Sequence, residues 1–176
     1  MQEAEMFVKQ TIYNHLRVLY RFTQKNEGVM DFDKQRTAIL NPTKFKDAGE
    51  VGFMLDLMIY EREKKWDQYC EVCKGGVRDY YWDNAYQLNN LAWNVFENSE
   101  NPKNLEMALA WAERATQLDG KKPYILDTYA NLLYANSLYK EALKVENKAL
   151  KLAEKEGGDT SSYKKVIEKI KAKMKS

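Results

Sequence analysis

The second half of the chain repeats itself. ALAWAERATQLD, residues 108–119, lies on ALKVENKALKLA, residues 142–153, at an offset of 34. Ala108 falls on Ala142, Leu109 on Leu143, Ala115 on Ala149 and Leu118 on Leu152, while Arg114 against Lys148 keeps the charge. The preceding segments also align, LNNLAWNVF (88–96) on LDTYANLLY (126–134), at an offset of 38. The extra residues fall in ENSENPKN, 97–104, a loop by composition. A unit of this length cannot bury its apolar face alone, so neighbouring units must stack into one array.

Each unit reads as two helices. In the second, Ile125, Leu126, Tyr129, Leu132 and Leu133 follow helical spacing, with Pro123 in the first turn, where its missing N–H is harmless. A break at Ala135-Asn136-Ser137 precedes a second amphipathic run carrying Tyr139, Ala142, Leu143, Ala149, Leu150 and Leu152. The pattern resembles the tetratricopeptide repeat, a helical hairpin of 34 residues. That family keeps small residues at its eighth, twentieth and twenty-seventh positions, here Ala92, Ala108 and Ala115, then Ala130, Ala142 and Ala149. Tyr139 matches the aromatic that opens the second helix. Departures are Ala for the usual eighth-position Gly, Ala112 and Glu146 where an aromatic is expected, and Gly120 and Glu154 for the closing Pro. The resemblance implies an all-α fold, a right-handed superhelical array of antiparallel helix pairs.

The first half reads as more of the same, worn down. KKWDQYCEVCKGGV, 64–77, aligns with SLYKEALKVENKAL, 137–150, placing Trp66 in the Tyr139 slot, Tyr69 in the Ala142 slot and Gly76 in the Ala149 slot. A preceding helix is expected over Asp47 to Arg62, although Gly49 and Gly52 weaken its first turn; Asn41-Pro42 is an alternative start. Residues 2–25 predict a long helix packing through Phe7, Val8, Ile12, Leu16, Leu19, Tyr20 and Phe22. A short helix from Asp33 to Leu40 follows the break Asn26-Glu27-Gly28. At the other end DTSSYKKVIEKIKAKMKS reads as a cap, with Thr160 or Ser161 as N-cap and Tyr163, Val166, Ile167, Ile170 and Met174 on its packing face. The expected organisation is one domain overall. Residues 1–46 are N-terminal helices, 47–82 a degenerate helix pair, 83–120 and 121–155 two repeats, and 159–176 a capping helix.

Composition excludes several classes. With 44% hydrophobic and 31% charged residues the chain is globular, and only 3 Pro and 8 Gly disfavour an all-β fold. A net charge of +2 does not point to nucleic acid. No apolar run is long enough for a membrane span. The start, MQEAEMFVKQ, lacks the regions of a signal peptide; a chain beginning naturally at Met1 is expected in the cytoplasm.

Chemistry is sparse. His15 is the single histidine, in the middle of an amphipathic helix and far in sequence from any nucleophile, where a structural role is expected. There is no Gly-rich phosphate loop and no HExxH motif, and no carboxylate pair stands out. The CEVC stretch holds both cysteines, open to redox, metal or packing readings. Zinc needs about four ligands, and Cys70, Cys73 and His15 supply three. A redox cysteine belongs at a helix N-terminus, whereas Cys70 falls in the slot of Leu109 and Leu143, which favours burial as a small hydrophobe. No catalytic residue, metal or cofactor is expected.

The 12 Tyr, 4 Trp and 6 Phe point instead to helix packing or a contact surface. With the repeat family's spacing, the concave groove is lined by Tyr86, Asn89, Trp93 and Phe96 in one unit and Tyr124, Asp127, Asn131 and Tyr134 in the next. Rings supply contact area and amides bond a peptide backbone, so the expected partner is a protein or peptide. No Lys or Arg stands at the places where chaperone-binding members clamp a carboxylate, and that activity is not carried over. Trp93 is equally suited to burial under the N-terminal helices. Exposed helix faces also suit a homodimer.

A second resemblance is carried by LNNLAW, ALAWAERA, YILDTYANLLY, EALKVENKALKLA and EGGDTSSYKKVIEKIK. Together they look like the C-terminal helical region of certain bacterial thioredoxin-like proteins, over about residues 60–175. No WCxxC or βαβ pattern is present. This resemblance implies an accessory helical module of an exported protein whose catalytic domain lies outside these residues. A thiol-active protein using Cys70 and Cys73 is the remaining alternative.

Overall fold

Periodicity of this kind leaves little room for strands. The computed structural model describes residues 2–25, 31–40 and 47–175. Among these residues the protein is all-α, with no strand. The helices are α1 (Gln2–Lys25), α2 (Phe32–Leu40), α3 (Ala48–Arg62), α4 (Trp66–Gly76), α5 (Ala85–Asn98), α6 (Pro102–Asp119), α7 (Pro123–Ala135), α8 (Tyr139–Glu156) and α9 (Ser161–Lys173). A π-helical segment, Val77–Tyr81, follows α4 directly. The Asn26-Glu27-Gly28 break and the alternative Asn41-Pro42 start lie outside the described residues. No helix among the described residues is long and apolar enough to cross a membrane.

The chain divides into two compact units, Met1–Lys65 and Trp66–Ser176. The division falls within the 47–82 segment, so α3 and α4 belong to different units. In the first unit, Leu16 and Tyr20 of α1, Phe32 of α2 and Val51 and Leu55 of α3 form the core. The rings of Tyr20 and Phe32 meet edge-on at 5.2 Å, and the Tyr20 hydroxyl donates to Glu63 Oε1 at 2.9 Å. Phe7 and Val8 are exposed, so the buried stripe of α1 starts later than the sequence spacing suggests, at Ile12. Gly52 lies inside α3 beneath α2. Arg36 of α2 reaches over it, donating from Nη2 to the Gly52 carbonyl at 3.3 Å and pairing with Asp56 Oδ1 at 2.9 Å. A Cβ at position 52 would meet that guanidinium at 3.4 Å.

In the second unit successive helices pack on one another from α5 through α9, and α5 also packs on α7. The connections at 99–101, 120–122 and 136–138 are short, which makes sequential neighbours antiparallel. Ala92, Ala108, Ala115, Ala130, Ala142 and Ala149 are all 0% exposed. Small side chains there let helix backbones approach closely, and interiors of this density tolerate neither a void nor an extra methylene.

Local chemistry fixes the helix ends. The Asn84 side chain accepts from the Gln87 N–H at 3.1 Å, and that of Asn101 from the Lys103 N–H at 3.1 Å, each capping the helix that follows. Gly157 closes α8 with φ of 71°, the left-handed conformation in which a Cβ is strained. At α9 the cap differs from the sequence expectation. Thr160 occupies the cap position without a side-chain bond, and Asp159 does the work instead, accepting from the Ser161 N–H and hydroxyl, both at 2.9 Å. A carboxylate is the better acceptor there because it also favours the positive end of the helix. Ile167 and Ile170 of α9 are buried, while Met174 is 44% exposed and lies off the packed face.

Candidate functional site

Helix α5 packs beside α7, and their facing residues form a pocket. It has a volume of about 270 Å³ and is lined by Asn89, Asn90, Trp93 and Asn94 of α5 and by Tyr124, Asp127 and Thr128 of α7. Four of the residues assigned to a groove from sequence, Asn89, Trp93, Tyr124 and Asp127, therefore meet at one place. The other four do not line it. Phe96 packs against Trp93 with ring centroids 5.3 Å apart. Tyr86 is 60% exposed near the start of α5. Asn131 is buried, and its amide donates to the Asp127 carbonyl at 3.0 Å and carboxylate at 3.2 Å. Tyr134 is covered by the C-terminal helix: the Lys169 ammonium lies 4.5 Å from its ring centroid, and the Tyr139 ring meets it at a tilt with centroids 5.5 Å apart.

Trp93 is half-buried and Tyr124 is 44% exposed, so each presents ring surface to the pocket side. Asn89 is 7% exposed, and its Oδ1 has no hydrogen-bond partner among the described residues. A buried acceptor left unmade is expensive, which marks this amide as one to watch.

Behind the pocket stands a pair of carboxyls that the sequence did not single out. Glu146 of α8 is 0% exposed, and neither of its carboxyl oxygens receives a bond from an amide, hydroxyl or amine among the described residues. The carboxyl that acts on it is that of Asp127, and a bond between two carboxyls requires one of them to hold a proton. Burial, and then the charge and hydrogen bond of Asp127, pushes Glu146 up to about 9. Burial also raises Asp127, opposed by its bonds from Glu146 and Asn131. Both shifts run toward the protonated form, so the pair holds on to a proton above the usual carboxylate range. The signal that could have found Glu146 is its slot, where the repeat register expects an aromatic ring.

Cys70 and Cys73 are free thiols, 1% and 0% exposed. Burial, followed by the charge of Asp67, lifts Cys70 to about 12; burial and Cys70 lift Cys73 as well. Neither thiol has the electropositive, accessible setting that makes a cysteine reactive. His15 is exposed on α1. Among the described residues no three His, Cys, Asp or Glu side chains gather to hold a metal ion.

No family model matches the chain, and no curated protein matches it.

Proposed function

We propose that the protein is a non-catalytic interaction module of tetratricopeptide-like design that binds a peptide segment of a partner protein along the α5–α7 face. In this reading the pairs α5/α6 and α7/α8 are successive repeats of a right-handed superhelical array, and α9 caps it. The observation that carries the reading is the α5–α7 pocket, because a solenoid of helical hairpins binds on the surface formed by the first helix of each pair. The six fully buried alanines at the repeat's small positions support the same register. The pocket joins ring surface to amides, the combination that suits an extended peptide, where rings give area and amides meet the backbone.

The test is selection of binders from a displayed random-peptide library, followed by titration of the wild type and of Trp93→Ala and Tyr124→Ala. Binding that weakens about tenfold or more in either variant supports the reading, in line with a ring anchor worth 1–2 kcal/mol. Selected peptides that bind all three proteins equally would place the surface elsewhere.

A further inference from the structure

Resting on that reading, we propose that the α5–α7 pocket is a specificity pocket for a basic side chain of the bound peptide, an arginine guanidinium above all. Three independent features of the pocket converge on a donor-rich cation. Its lining contains two aromatic rings, Trp93 and Tyr124, with no Lys or Arg among the lining residues. Ring faces attract a cation, and a guanidinium also stacks on them. Asn89, nine-tenths buried in the same wall, carries an Oδ1 that no other described residue satisfies. Asp127 supplies a carboxylate oxygen, held in place by the Asn131 amide at 3.2 Å. A guanidinium carries five N–H donors and no acceptor, the complement of this set.

The experiment titrates acetyl-arginine amide against the ¹⁵N-labelled protein, following the Trp93 indole N–H, with acetyl-citrulline amide as the neutral isostere. The expected result is a saturable shift with arginine at about millimolar concentration, and binding of citrulline weaker by about tenfold or more. Asp127→Asn loses the preference for arginine. Equal binding of the two amides, or arginine binding unchanged in Asp127→Asn, overturns the proposal. If circular dichroism shows Asp127→Asn unfolded, Tyr124→Ser at an exposed ring decides instead: weaker arginine binding supports the pocket, and unchanged binding overturns it. Library peptides that bind through Trp93 without enrichment of Arg or Lys would overturn this pocket assignment and leave the groove standing. Arginine binding with no peptide binder would do the reverse.

Discussion

Glu146 stands where the repeat register expects a ring, and it is buried there as an acid. Unfolded, it releases its proton in the ordinary carboxylate range near 4.5; folded, it holds the proton up to about 9. Between those values the folded state binds more protons than the unfolded state. Its contribution to stability is therefore full below about 4.5 and is lost as pH rises toward about 9. Glu146→Gln needs no proton to fold and still offers Asp127 an N–H. Urea melts are expected to show it more stable than wild type at pH 8, by about 1–3 kcal/mol, with a flatter pH profile from 5 to 9. A variant less stable than wild type at pH 8 would contradict the shared proton. The buried thiols give a second expectation at this scale. Iodoacetamide should label Cys70 and Cys73 only as fast as the protein unfolds, monitored by mass spectrometry across a urea series. Rapid labelling of the native protein would reopen the redox reading.

At the scale of the element, the alanines are the sharpest probe. Ala115 is fully buried on α6, and Ala115→Leu is expected to destabilise by about 1–3 kcal/mol through overpacking. Leu118, 37% exposed on the same helix, should accept Ala at little cost. Comparing the two melts separates close helix approach from general loss of an apolar residue. Gly157→Ala, at a φ of 71°, should cost about 1 kcal/mol and fray the end of α8, visible as faster amide exchange in 153–158. Helix type and extent were legible in the sequence because apolar spacing and end signals agree. The third helix begins one residue from its expected start, at Ala48, and the short second helix one residue early, at Phe32. Two features were not legible. The π-helical segment 77–81 spans five residues, too few for apolar spacing to separate a π turn from an α turn. The cap of α9 went to Asp159 rather than to Thr160 or Ser161 because three capping residue types stand in a row and only geometry chooses among them.

Across the whole molecule, the repeat register carried half of the candidate site to one pocket. Asn89, Trp93, Tyr124 and Asp127 meet there because α5 and α7 pack against each other. Tyr134 was placed in the same groove by spacing alone, and its contact with Lys169 arises from α9, which stands outside the repeat. The Asp127–Glu146 pair joins residues 19 positions apart on different helices, a proximity that no local pattern records. Residues 66–176 contain their own packed interior, so expressed alone they are expected to unfold in one cooperative transition; gradual, non-cooperative melting would contradict that. The central claim is that the α5–α7 face binds peptide. Calorimetric titration of a library-selected peptide into wild type and Trp93→Ala, with both proteins shown folded by circular dichroism, tests it most directly. The account predicts an affinity loss of about tenfold or more in Trp93→Ala. Equal affinity in the two proteins would contradict it.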